Sequence, residues 1–130
     1  MLYHVMVGSN DLDRSKRFYD AVLGELGAGE PMVIHAGGHR RLVYQYQGGT
    51  SFCVTEPLNG EPATVANGST VAFSCNSPEQ VRDFHDVALA HDGVSIEDAP
   101  GPRETFKGVV HLAYVRDPDG NKLCAIHWPK

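Results

Sequence analysis

The feature that most constrains this chain is that it repeats itself. Val5, Asn10, Phe18, Asp20, Leu23 and Gly27 return as Val71, Asn76, Phe84, Asp86, Leu89 and Gly93, each 66 residues later and without a gap. Strand, cap, helix face and stop coincide at one offset, which points to duplication of a single supersecondary unit. The whole chain has 130 residues. That is one domain's length, and enough to bury a core without disulfides or metal.

The unit can be read from its periodicities. Residues 2–8 alternate and are rich in β-formers, which predicts a strand. A helix is expected from about Asp11 to Leu26, with Phe18, Val22 and Leu26 on one face, Asp11 as N-cap and Gly27 as stop. In the second copy Ser77 takes the cap position, Pro78 the first turn and Gln80 the capping-box position. After the first helix come expected strands at 31–36, 41–47 and 50–55. After the second come a weak one at 94–97 and stronger ones at 109–115 and 121–127. The stretch EPLNGEPATVANG is rich in Pro, Gly, Asn and Ala and reads as a connection between halves. The expectation is a single α+β domain of two tandem βαβββ modules, about 1–56 and 69–130, joined by a linker over 57–68, with one helix packed on each small sheet.

Composition removes several functions. The net charge is −5 and there is no Lys/Arg stripe, so nucleic acid is not an expected partner. No apolar run approaches the roughly 18 residues of a membrane span, and MLYHVMVG reads as a strand rather than a secretion signal. Cys53, Cys75 and Cys124 are an odd, widely spaced set, which suits a reducing cytoplasm better than a disulfide framework.

The duplication singles out pairs of equivalent positions. His4 corresponds to Thr70 on the first strands. Gly49 and Gly120 close the turns before the last strands, and four residues beyond them stand Cys53 and Cys124. Alternation puts Tyr3, Val5 and Val7 on the helix side of the first strand and His4, Met6 and Gly8 on the other. Thr70, Ala72 and Ser74 likewise face away from the second helix. If the DPDG turn sets Val115 against Lys122, then Ala113 opposes Cys124 and His111 opposes Ile126, which brings His111 to the Cys124 side. His4, Cys53, Thr70, His111 and Cys124 are therefore expected on one concave surface.

The segments HVMVGSNDL, DLDRSKRFYDAVLGELG, GPRETFKG and AYVRDPDGNKL resemble the first strand, first helix, preceding loop and terminal hairpin of the vicinal oxygen chelate superfamily. This is the group of glyoxalase I, bleomycin-resistance proteins and extradiol dioxygenases. The resemblance implies a cup-shaped sheet built by the two modules. In the family's metal enzymes it also implies a divalent ion held by residues of the first and last strands of each module, usually His, His or Gln, and two Glu. Here those positions read His4, Cys53, Thr70 and Cys124, so only His4 fits. Glyoxalase I chemistry needs a metal-side Glu as general base, and that activity is not expected. No metal and no other cofactor is expected, and no catalytic residue is assigned.

Three functions stay open. The favoured one is a small-molecule binding protein comparable to the bleomycin-resistance type, with a second copy of the chain as a further partner. The second is a lyase (lactoylglutathione-lyase-like) or dioxygenase-type enzyme with a metal on unusual ligands; His4, Cys53 and Cys124 could form a Cys₂His zinc site with an open position. The third is a structural or regulatory dimer. Against the zinc reading, free cysteines usually behave as small buried hydrophobes. Whether the cup closes within one chain or across two stays open as well. Other residues invite blander readings: His35 and His39 as turn residues, His85 and His91 as surface, His127 facing opposite to Cys124, Cys75 as structural and Arg103 as a solvated loop arginine. Phe52, Tyr44, Tyr46 and Trp128 could belong to a cleft or to the core.

Overall fold

A computed structural model describes residues 1–45 and 49–129. The elements run β1 (His4–Gly8), α1 (Leu12–Glu25), β2 (Met32–Ala36), β3 (His39–Gln45), β4 (Ser51–Thr55), β5 (Val71–Ser74), α2 (Pro78–Ala90), β6 (Val94–Thr105), β7 (Gly108–Arg116) and β8 (Lys122–His127). They form two four-stranded sheets of the same topology, β1-β4-β3-β2 and β5-β8-β7-β6. In each, the first strand lies parallel to the last and the other pairs are antiparallel. The duplication in the sequence is thus a duplication in space, and the α+β reading holds. Tyr46, on the third expected strand, lies outside the described residues.

The helix ends are fixed by the residues the sequence put forward. The Asp11 side chain accepts from the Arg14 N–H at 3.0 Å, and the Ser77 hydroxyl from the Gln80 N–H at 3.1 Å. The Gln80 amide oxygen reaches one residue further back than a capping box would, to the Asn76 N–H. Gly27 follows α1 at φ +94°, a conformation that stops a helix cheaply only at glycine. After α2 the left-handed residue is instead Asp92, and Gly93 serves a different purpose. A Cβ there would lie 2.6 Å from the Ala88 carbonyl oxygen and 2.9 Å from Phe18 Cε2. Glycine is required at this point because the last turn of α2 and the Phe18 ring of α1 both close on it.

Both sheets turn their apolar faces to one shared core, in which Phe18, Tyr19 and Val22 of α1 meet Val81, Phe84 and Ala88 of α2. The Phe52 and Phe73 rings, one from each sheet, touch at 5.2 Å between centroids. The modules therefore pack through their helix sides. No Cα of β1 comes within 8 Å of β5, so the two first strands do not meet edge to edge. One sequence reading is corrected here. His85, expected on the surface, is buried and bonded to the Ser95 hydroxyl at 2.8 Å, because α2 lies directly on β6. Leu89, the counterpart of buried Leu23, is exposed.

The strongest polar tie between the modules is buried. The Tyr19 hydroxyl donates to the Asp117 carboxylate at 2.5 Å, and Asn121 donates to it through both its backbone and side-chain nitrogens at 2.8 Å. Burial pushes the Asp117 carboxyl above the usual carboxylate range, against the pull of Tyr19 and Asn121. Asp117→Ala would orphan these donors, and each unsatisfied buried group costs about 1–3 kcal/mol. Urea denaturation is expected to show a loss of about 3 kcal/mol for Asp117→Ala and about 1 kcal/mol for Tyr19→Phe. A loss under about 1 kcal/mol for Asp117→Ala would contradict this reading.

Candidate functional site

Each sheet has a second face, turned away from the shared core. In the first sheet, β1 pairs with β4 so that His4 opposes Ser51, Met6 opposes Cys53 and Gly8 opposes Thr55. Val7, Phe52 and Val54 belong to the core, so alternation puts His4, Met6 and Cys53 on the open face. In the second sheet Ala72 opposes Cys124 across β5–β8, the counterpart of Met6 and Cys53. The equivalence of Cys53 with Cys124 is therefore met in register as well as in sequence; Thr70, paired with His4 in the sequence, directly precedes β5 and lies outside its paired residues. His4 and Thr70 are exposed; Cys53 and Cys124 are buried.

His111 is not where it was expected. Val115 opposes Leu123 rather than Lys122, Tyr114 opposes Cys124, and His111 opposes His127. The cause is the turn. Asp117 N–H bonds to the Asn121 carbonyl at 2.9 Å, closing a loop one residue longer than the DPDG reading assumed, and a one-residue slip moves every side chain to the other face. His111 thus shares the helix-side face of Ala113, its ring 6.3 Å from that of His127. His127, expected to face away from Cys124, does so. The residue beside Cys124 that sequence reasoning passed over is Tyr114.

Glu97 was also missed. It stands in β6 where the pairing with β7 shifts between Ile96 and Gly101, at φ +59°, an unusual conformation for a residue with a side chain. From there its carboxylate meets Lys122 Nζ at 2.5 Å, and that ammonium sits 4.7 Å over the Tyr114 ring. Arg103 holds the irregular stretch in place, donating to the carbonyls of Asp98, Ala99, Gly101 and Pro102. Both terminal nitrogens of this half-buried guanidinium are engaged by those carbonyls. Tyr44 and Phe52 belong to the core, Cys75 is buried, and Trp128 is exposed.

Within one chain the expected residues form two half-sets on separate sheets. Among the described residues no three His, Cys, Asp or Glu side chains gather as a metal-holding group, so a single chain does not assemble His4, Cys53 and Cys124. Two cavities stand out. One, about 410 Å³, lies between the modules and is lined mainly by apolar residues such as Leu26, Phe52, Val71 and Phe73. The other, about 390 Å³, lies between the linker and the β7–β8 hairpin and includes Thr70.

The donor chemistry does not fit the ion that the family's metal enzymes hold. A hard divalent ion asks for carboxylate oxygens. The two last-strand positions offer soft thiols rather than carboxylates, and burial pushes both Cys53 and Cys124 above the ordinary thiol range. Cys75 is pushed up to about 11 by the same cause.

Comparison with known proteins gives a consistent picture. The model of the Glyoxalase/Bleomycin resistance protein/Dioxygenase superfamily matches residues 2–125. A glyoxalase/bleomycin resistance protein from Albidiferax ferrireducens is 48% identical, with a TM-score of 0.90 over 98% of this chain and 99% of that one. A glyoxalase-related enzyme from Fulvimarina pelagi shares 19% identity and a TM-score of 0.71 over 99% and 88% of the two chains. A glyoxalase I mutant from Zea mays shares 20% identity and a TM-score of 0.75 over 95% of this chain and 44% of that one. At these lower identities the likeness is one of fold. No curated protein is similar enough to count as a match.

The thiol reading has a direct consequence. Protonated, buried thiols react slowly. In the folded protein all three cysteines are expected to react with a disulfide reagent at pH 8 at least about a hundredfold more slowly than free cysteine, and all three to react on unfolding. The raised thiol values also fix a sign. A group that keeps its proton in the folded chain while the unfolded chain loses it makes stability fall as pH rises. The Cys75 contribution is lost between its unperturbed value of 9.0 and about 11, and Cys75→Ala should flatten the decline. One rapidly reacting thiol at position 53 or 124 would contradict the assignment.

Proposed function

The chain belongs to the glyoxalase/bleomycin resistance protein/dioxygenase superfamily, and from that premise we propose that it binds a small molecule in a cup assembled from its two open faces, without a chelated divalent ion. The observation that carries this reading is the pair of last-strand residues. Cys53 and Cys124 occupy equivalent positions in register, and both are buried, protonated thiols. A buried thiol that offers no oxygen is suited to lining a pocket. Met6 and Ala72 beside them, with Tyr114 on the second sheet, add an apolar lining of the kind that small-molecule sites use.

A second copy of the chain completes the cup in this reading. The support is geometric. β1 and β5 are both edge strands, each paired on one side, and they do not lie against each other within the chain. An exposed strand edge is a template for pairing. Leu2 and Tyr3, which extend the β1 edge, are exposed as well. A two-fold dimer that sets β1 of one copy beside β5 of the other would bring His4 and Cys53 together with the partner's half-set, twice over.

One observation favours the enzyme alternative, a lyase or dioxygenase type with a metal on unusual ligands. Glu97 brings a carboxylate to the open face, and its charge acts on Cys124. Protein produced in zinc- and iron-supplemented medium decides between the two. The binding reading expects well under one metal ion per chain by elemental analysis, and no turnover of methylglyoxal with glutathione on adding divalent ions. About one ion per chain, lost in both His4→Ala and Glu97→Gln, would overturn it in favour of the enzyme.

A further inference from the structure

The cavity between the linker and the β7–β8 hairpin has a chemistry of its own. Its walls include Arg116, Lys122, Thr70, Ser69 and Asp119. Asp119 does not offset the two cations. One of its carboxylate oxygens takes Arg14 at 3.0 Å and the Asn10 N–H at 2.9 Å, and the other takes the Ser15 hydroxyl at 3.0 Å. Arg116 gives one nitrogen to the Gly120 carbonyl at 2.7 Å, which orients its guanidinium. Lys122 is shared with Glu97, which does not line the cavity. The sign left over inside is positive. The linker wall is shaped at a cost: Ala66 sits at φ +49°, held by the Ser69 N–H to the Ala66 carbonyl at 2.9 Å. Strain of this kind in a residue with a side chain points to a site. The first module has no counterpart, since the position equivalent to Thr70 is His4 and opposes Ser51 rather than a cation.

We propose that this cavity is an oxyanion subsite of the cup, in which Arg116, Lys122 and the Thr70 hydroxyl hold a carboxylate or phosphate group of the bound small molecule. It rests on the binding reading above, because Lys122 stands on the same sheet face as Cys124 and Thr70, which directly precedes β5, lines the same cavity as Lys122. Guanidinium and ammonium donors to an oxyanion are among the stronger hydrogen bonds a protein makes. Glu97 competes for Lys122, so the anion and the carboxylate exchange at one ammonium.

Amide chemical shifts followed during titration with inorganic phosphate, and separately with acetate, test this against sodium chloride at equal ionic strength. Saturable shifts confined to residues 66–70 and 116–122 are expected with at least one of the two oxyanions, and the better binder identifies the group. Lys122→Gln and Arg116→Gln should each weaken binding about tenfold or more. Thr70→Val, at an exposed position, should weaken it less. Glu97→Gln should tighten it by freeing Lys122. Shifts reproduced by chloride, or unchanged in Lys122→Gln and Thr70→Val variants that retain the native spectrum elsewhere, would overturn the site. A monomer that still binds oxyanion here would refute the two-copy cup and leave the subsite standing; a dimer that shows no such shifts would do the reverse.

Discussion

The Asp117 carboxylate is the interaction on which the rest of this structure depends. It gathers a tyrosine from the first helix and an asparagine from the far end of its own turn, while Asp119 two residues on gathers Arg14, Ser15 and the Asn10 N–H. These bonds do two things at once. They hold the second module's terminal hairpin against the first module's helix, and they fix the length of the turn. The turn length decides which β7 residue faces Cys124. A shorter turn would have put Ala113 there and His111 within reach; the observed one puts Tyr114 there. The composition of the candidate site is thus set by a buried polar cluster behind it.

That cluster also bears on assembly. With the two sheets committed to one shared core, the faces that carry His4 and Cys53, and Ala72 and Cys124, turn outward on separate sheets. A protein that packs both helices into one shared core leaves the β1 and β5 edges and two open faces for another chain. Stability and binding draw on opposite sides of the same strands. Phe52 and Leu123 pack inward, while their neighbours Cys53 and Cys124 line what the proposal makes a cup.

Much of this is legible in the sequence. The gapless repeat, the Asp11 and Ser77 caps and the alternation on β1 and β5 are local signals, and local geometry honoured them. The equivalence of Cys53 and Cys124 was legible because glycines at +103° and +98° mark the same point in both turns. What failed was non-local. The hairpin register turned on a bond from Asp117 to Asn121 that a four-residue turn motif does not encode. The length of β6 was hidden by Pro100 and Pro102, which read as breakers but are tolerated because β6 is an edge strand. Glu97 went unseen for the same reason, since its place on the open face depends on an irregular stretch that Arg103 holds from the side.

In the proposed assembly the cup forms between two copies. Its most direct test is a dimer mixed from isotope-labelled and unlabelled chains, with nuclear Overhauser contacts filtered for those between copies. The account predicts contacts from the His4 ring and Met6 methyl of one copy to the Thr70 and Ala72 methyls of the other. A monomeric protein, or a dimer in which these contacts arise only within a single copy, would contradict it.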